Sequence, residues 1–494
     1  MTLPESESEL RKKKVGALRK KGINPYPSKA EHSSSVGLFI DMFGDHEKKG
    51  DTVILSGRVM LMRAHGKITF AHVADETGKI QVVFAKQDMG DDAYAFVAEY
   101  IDVGDIVQVS GTAFVTKKGE QSLLVQQATL LSKAINPLPD KWHGIKDEEA
   151  RYRKRYLDML MNPELRDMVR KKSMFWNAVR DFLQNEGFLE VETPVLEAVA
   201  GGADAQPFVT HHNALDIDLF LRISMGELWQ KRLMVAGFDK TFEIGRQFRN
   251  EGISPEHLQD YTQMEFYWGY ADYEMGMELV ERMYKECINK TFGTLKFSIK
   301  GMDVDLSKKW DRIDYVDALK KAYKLDVLQA TENELRTACN NAGSSADGVV
   351  GKGRLMDLLW KQVRKTITGP AFLVNHPVEV SPLAKRKEDN PALVERFQVI
   401  IAGSEQGNGY SELNDPIDQR QRFEEQTELR EAGDTEAQMH DEDFVEALEY
   451  GMPPTCGFGM SERLFSFLMD KPIRECVTFP LLRPKQDDNK DNNA

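Results

Sequence analysis

Between Thr52 and Leu131, apolar and polar residues alternate in short runs rich in β-branched side chains: VILSGRVMLM, KITFAHVAD, KIQVVFAK, DIVQVSGTAFVT and QSLLVQQATLL. Alternation with period two, bounded by turn residues, predicts strands. Glu76-Thr77-Gly78 and Lys117-Lys118-Gly119 supply turns, and DDAYAFVAEYI interrupts the strands with a helical stretch. Ahead of this block, residues 1 to about 50 read as a tail and one basic helix, stopped by Gly22 and Asn24-Pro25-Tyr26-Pro27. Behind it, a connector with prolines (NPLPDKWHG) leads into one charged helix, DEEARYRKRYLDML. From Lys172 to Asn185, Phe175, Ala178, Val179 and Phe182 recur at helical spacing, ended by Gly187. A strand with a proline, GFLEVETPVL, is expected next.

Five short strands with one helix predict a small closed barrel, of which the OB-fold is the commonest kind. The remainder, to about residue 485, reads as a large α+β domain. The expected layout is therefore a lead-in over 1–50, a barrel over 51–135, a linker over 136–150 and the large domain over 151–485. Residues 296–372 look like an insertion without nameable chemistry, and 486–494 like a disordered polar tail.

The candidate chemistry gathers on two strands and two glycine-rich segments. In KTFEIGRQFRNEG, Phe242, Ile244 and Phe248 share one face and Glu243, Gln247, Arg249 and Glu251 the other, with Arg246 as the exception. In YTQMEFYWGY, Met264, Phe266 and Trp268 oppose Tyr261, Gln263, Glu265 and Tyr267. A solvated hairpin would carry Lys, Thr and Ser on its polar face. Large side chains of mixed charge beside aromatics suit instead the floor of a site for a charged, planar ligand. EQGNGYSELN sets Glu405 and Glu412 around Gly407 and Gly409, carboxylates beside bare backbone that could hold Mg²⁺ or an amine; surface carboxylates are the plainer reading. Asp415-Pro416 opens a helix as N-cap and first residue. In GFGMSERLFSFLM, Ser461 is expected to cap a helix with Arg463 in its first turn, where a cation opposes the helix dipole unless an anion binds there.

Composition narrows the function classes. The 494 residues are 41% hydrophobic and 29% charged, which excludes a wholly disordered or fibrous chain. No apolar run reaches the ~18 residues of a membrane span, and the N-terminus lacks an apolar signal core. A cytoplasmic location without membrane contact is expected. Cys287, Cys339, Cys456 and Cys476 form no CxxC pair and read as reduced thiols. The net charge of −14 argues against a uniformly basic nucleic-acid coat. The barrel holds eight basic and ten acidic residues, so any nucleic acid it binds is held by stacking and base-edge contacts. Seven basic residues between Leu10 and Lys21 are either a phosphate-neutralising stretch or a solvated helix face.

Taken in order, GFLEVETP, FRNEG and GFGMSER resemble the three motifs of class II aminoacyl-tRNA synthetases. NPYP, LPDKWHG, EARYRKRYLD, GGADAQPFVTHHNALD, EVSPLAKR, GNGYSELND and EYGMPPT narrow the resemblance to the lysyl-tRNA synthetase family, over most of residues 10–485. The resemblance implies an antiparallel sheet flanked by helices, preceded by an OB-fold anticodon-binding domain. It implies activation of lysine by ATP to lysyl-adenylate, transfer to tRNA(Lys), a Mg²⁺ requirement and a homodimer built on GFLEVETP and the helix before it; DNA is not an expected partner. Carried over by motif, Arg249 holds the α-phosphate and the lysine carboxylate, Glu251 reads the adenine amine, and His257 lies near the nucleotide. Tyr261 stacks on adenine, while Gly459 and Arg463 complete the ATP site. Glu405 binds Mg²⁺, with Gln398 standing where the family commonly has a second metal-binding glutamate. Glu227, Tyr267, Asn408 and Glu412 form the amino-acid pocket. In the barrel, Arg63, Phe70, Gln81 and Glu120 match the anticodon-reading positions.

The chain departs from the family pattern at three places. Residues 222–228, RISMGEL, are one residue longer than usual and lack a proline. The third motif is one residue shorter, with Glu462 where aspartate is common. Gln398 keeps a carbonyl but loses a charge. The rival readings are a related ligase for aspartate or asparagine, an adenylate-forming paralogue that modifies a protein or makes a signalling nucleotide, and a non-catalytic nucleic-acid-binding scaffold.

Overall fold

The computed structural model describes residues 6–139, 147–203, 205–252, 254–434 and 437–484; the expected polar tail and most of LPDKWHG lie outside them. The chain divides into two compact units, residues 1–161 and 162–494.

In the first unit, five strands close a barrel in the order Thr52–His65, Ile68–Ala74, Lys79–Ala85, Gln121–Ser132, Ile106–Val115. The period-two alternation sends Val53, Leu55, Val73, Val82, Val109, Leu123 and Val125 inward. The helix Asp91–Tyr100 adds Val97 and Tyr100 to the same core. The basic helix spans Glu7–Lys20, with Ser6 as its cap. It is not a uniformly solvated face. Leu18 is buried, Arg11 bonds Glu7 at 2.7 Å and the Ala134 carbonyl at 3.1 Å, and Lys14 pairs with Asp102 at 2.8 Å. Two short helices, Val36–Asp41 and Phe43–Lys49, follow where only a lead-in was expected, and Phe39 and Phe43 drop into the barrel core. The expected single charged helix is two, Glu148–Arg153 and Arg155–Met161, with Asp158 paired to Arg151 at 3.1 Å and Arg155 at 3.0 Å.

The second unit is built on an eight-stranded sheet. Its spatial order is Asp311–Asp314, Ala371–Pro377, Leu393–Ile401, Ser404–Ser411, Thr455–Ser461, Asp260–Gly269, Lys240–Phe248, Leu189–Glu190. Only the outermost pair at each end is parallel. GFLEVETPVL supplies two two-residue strands rather than one long one, because Pro194 denies the ladder a donor; the second, Leu196–Glu197, joins a separate three-stranded sheet.

The large sheet has two unlike faces. One carries Phe242, Met264, Phe266, Phe397, Val399, Phe458 and Met460, all buried. Against it pack the helices Pro163–Asn185 and Tyr273–Phe292, which contribute Phe175, Val179, Phe182, Val280, Met283 and Ile288. The other face carries the polar members of the same strands. Residues 296–372 hold a core of their own from the helices Tyr315–Tyr323, Glu332–Asn341 and Lys352–Val363, including Leu319, Leu335, Leu359 and Trp360. All four cysteines are free and buried. Among the described residues no helix is long and apolar enough to cross a membrane.

Candidate active site

The strands Lys240–Phe248 and Asp260–Gly269 pair antiparallel with Glu243 opposite Glu265 and Gln247 opposite Tyr261. That register sets the polar side chains of both strands side by side. Thr455–Ser461 pairs with the second strand, placing Gly459 opposite Glu265 and Gly457 opposite Tyr267. Ser404–Ser411 pairs on the far side, with Asn408 opposite Gly459. The result is a cavity of ≈ 820 Å³, within the usual range for a ligand site. Glu227, Arg249, Glu251, His257, Tyr261, Tyr267, Gln398, Glu405, Asn408, Glu412, Gly459 and Arg463 all line it.

At its floor lies a carboxylate pair. Glu227 accepts hydrogen bonds from the hydroxyls of Tyr267 at 3.0 Å and Tyr410 at 2.6 Å. Glu412, just past the end of the strand Ser404–Ser411, is buried, and its burial beside Glu227 holds the carboxyl well above the ordinary carboxylate range. Gly457 must lack a side chain here: a Cβ would lie 2.0 Å from Glu412 Oε1. The glycine-rich loop before the site is constrained too. Gly202 has φ +86° and packs where a Cβ would meet the Glu227 side chain at 2.4 Å.

Beside the pair, Glu265 is buried and heavily solvated by the protein. It accepts from Ser224 Oγ, the Met225 and Gly226 amides, and the side-chain amides of Gln247 and Gln263, at 2.6–3.3 Å. The RISMGEL segment supplies three of these donors, while its Glu227 reaches Tyr267. Arg249 lies just past the end of its strand. Its Nε donates to the Ile223 carbonyl at 3.3 Å and its guanidinium stands 5.8 Å from the Tyr261 ring. The Tyr261 hydroxyl donates to Gln247 at 3.2 Å. His257 Nδ1 is 2.7 Å from Ser254 Oγ; partial burial and the nearby Arg463 and Arg249 cations push its pKa below the ordinary value.

At the other end, Glu405 stands 3.6 Å from Arg364 Nη1, and its carbonyl accepts from Arg463. Asn408 accepts from Arg396 at 2.8 Å, and Gln398 faces His376 Nε2 at 3.3 Å. Ser461 is not the helix cap. It ends its strand, the helix runs Arg463–Leu468 with Glu462 at the cap position, and the Ser461 hydroxyl accepts only the Arg463 amide at 3.3 Å. Glu462 is tied back to Lys172 and to the Thr262 amide at 3.0 Å.

Comparison with known proteins bears on what this cavity is for. The family model described as class II tRNA synthetases (D, K and N) matches residues 147–483, and that of the OB-fold nucleic acid binding domain matches 53–131. A lysine–tRNA ligase of Thermosipho africanus is 44% identical over 485 residues, 96% of each chain. That of Thermotoga maritima is 44% identical over 97% of this chain and 96% of its own, and that of Moorella thermoacetica 44% over 98% and 99%. This chain belongs to the lysine–tRNA ligase family of class II synthetases.

In the barrel the four positions expected to read an anticodon share one outer face. Arg63 pairs with Phe70 across the first hairpin, and Gln81 Nε2 donates to Ser122 Oγ at 2.8 Å. Glu120 lies beside His72, at 3.5 Å, and His72 is in register with Gln81. Several site residues were not anticipated from sequence: Glu265 as an acceptor hub, Tyr410, Arg396, and Lys231, whose ammonium lies between Glu227 and Glu412. The 296–372 segment is also part of the site. Lys352, Arg354, Asp357 and Lys361 line the cavity. Nothing in that segment's local pattern marks this, since the strand that follows it brings it back to the pocket.

Proposed function

We propose that the cavity binds lysine and ATP, joins them as lysyl-adenylate, and passes the lysyl group to tRNA(Lys). The observation that carries this reading is the buried Glu227–Glu412 pair with the Tyr267 hydroxyl, a receptor for an ammonium group at the end of an extended side chain. Aspartate would meet like charge there, and asparagine would bring no cation to the pair. Arg249, which lines the same cavity, neutralises the substrate carboxylate and the α-phosphate. A lysine carboxylate oxygen attacks the α-phosphorus, the bond to the bridging oxygen of the β-phosphate breaks, and pyrophosphate leaves. A terminal ribose hydroxyl of tRNA then attacks the lysyl carbonyl and AMP departs. The protein contributes chiefly alignment and fixed charge. Tyr261 supplies a face for adenine, Glu251 an acceptor for its amine, and Arg463 a cation for the polyphosphate.

Mg²⁺ is commonly held by one or two carboxylates together with substrate phosphates. Glu405 fits that role, whereas the Gln398 oxygen is faced by His376, and no cluster of three His, Cys, Asp or Glu suited to a metal exists among the described residues. When bound, the ion would offset charge on the phosphates. Phe70 stacks a base of the anticodon, and Gln81 and Glu120 read base edges. A homodimer is supported by Leu189, Leu196, Val209 and Ile217, apolar side chains exposed on and beside the GFLEVETP segment; light scattering at micromolar concentration should give twice the chain mass. The working location is the cytoplasm.

ATP–pyrophosphate exchange with each of the twenty amino acids, without tRNA, tests the reading. Exchange with lysine alone is expected. Exchange with aspartate or asparagine instead would overturn it.

A further inference from the structure

Lys231 is wholly buried on the short helix Trp229–Val235, and it does not line the cavity. Its ammonium reaches Glu227 and lies 2.5 Å from Glu412 Oε2. The rings of Tyr410 and Phe444, at 5.8 and 5.6 Å, close around it. The protein therefore already carries one ammonium behind the carboxylate pair whose front faces the cavity. Burial and Glu227 hold the Glu412 carboxyl up, and Lys231 is the group that opposes this; with both carboxyls ionised, two carboxylates and one ammonium leave a single negative charge. Glu412 Oε1 is buried, without a hydrogen-bond donor, and directed at the bare backbone of Gly457, which does line the cavity.

We propose that Lys231 is a positioning residue that fixes the charge of this pocket at minus one, so that it accepts one monocationic side chain and refuses divalent cations. The inference rests on the lysine-pocket reading above. Its physical need is plain. A bare buried carboxylate pair is a chelating site, hard oxygen ligands without a counter-ion, in an enzyme whose nucleotide substrate arrives with divalent metal. With Lys231 in place, a divalent ion would bring a net positive charge into low dielectric. An alkylammonium brings neutrality.

The test compares K231M, E412Q and the double variant K231M/E412Q with the native protein. The readouts are the KM for lysine in ATP–pyrophosphate exchange and calorimetric titration with CaCl₂ without ATP, repeated with lysine present. E412Q should raise the lysine KM ~100-fold, since the pocket becomes neutral. K231M should raise it ~10-fold and create a Ca²⁺ site that lysine displaces. The double variant returns to a charge of minus one. It should bind lysine ~10-fold better than E412Q and take no Ca²⁺. Loss of a merely structural contact would instead make the double variant worse than either single one. That result, or K231M without a lysine-displaced Ca²⁺ site, overturns the proposal. If K231M fails to fold, the charge-matched double variant carries the test alone. An unchanged lysine KM in E412Q overturns the pocket reading itself.

Discussion

Among the described residues, two lysines lie out of water between two carboxylates each, and they do different things with the arrangement. In the barrel unit, Lys133 donates to Asp105 at 2.7 Å, Asp102 at 2.5 Å and the Tyr100 carbonyl at 2.7 Å. Its partners have further donors: the Ala134 and Asp102 amides fill Asp105, and Lys14 shares Asp102. In the catalytic unit, Lys231 sits between Glu227 and Glu412, yet Glu412 Oε1 is left without a donor. A buried ionic cluster that satisfies itself is a staple, here fastening the N-terminal helix through Lys14. One that leaves a buried acceptor open is a receptor, because the cost of that acceptor is recovered only when a ligand arrives.

The largest test of this contrast is Lys133→Met. It removes the counter-ion of buried Asp105 and one of the two on Asp102, and should cost ~3–5 kcal/mol in denaturant unfolding, with the lysine KM unchanged. Arg249→Ala is its converse. Melting should stay put while kcat/KM for exchange falls by ~10²–10³, the scale of a lost preorganised charge. Glu197 lies between the two cases. Trp229 donates to one oxygen at 2.7 Å, the other has no donor, and burial pushes the carboxyl up to about 7. Its folded pKa exceeds the unfolded one, so its contribution is present below the unfolded value and is lost as pH rises through 7. Glu197→Gln removes that loss. The variant should gain up to ~3 kcal/mol on the native protein between pH 5 and 8, read as diverging melting curves. The smallest effect belongs to Phe70→Ala, ~1–3 kcal/mol in tRNA charging with exchange untouched; equal loss in both assays would break the division of labour between the two units.

The barrel was legible because each of its strands solves a local problem, apolar in and polar out, that period-two alternation records. The two faces of Lys240–Phe248 and Asp260–Gly269 were legible for the same reason. Asp415 caps its helix as expected, accepting from the Ile417 and Asp418 amides. What the sequence hid is chemistry assembled by long-range pairing. Lys231 sits in ELWQKRL, where no local pattern marks it as a site residue. Only the fold brings Glu412, 181 positions later, to its ammonium. Ser461 misled because serine before a charged residue is a common cap signal, whereas the ladder with Gln263 keeps it in the strand. Pro194 was visible in GFLEVETPVL, but the redirection of Leu196–Glu197 into another sheet depends on Phe220 and Leu221, beyond any local window.

The placement of the cysteines gives the protein a built-in reporter. All four thiols are buried, and burial raises the pKa of each, so none presents an appreciable thiolate to an alkylating reagent at neutral pH. Cys287, Cys456 and Cys476 belong to the core beneath the large sheet, Cys339 to the separate core of residues 296–372, and the barrel has none. A pulse of iodoacetamide during unfolding, followed by peptide mass analysis, would therefore time the opening of these two cores independently. A single cysteine introduced on the barrel surface would be the one reactive thiol in the native chain, ready to carry a dye for watching tRNA arrive.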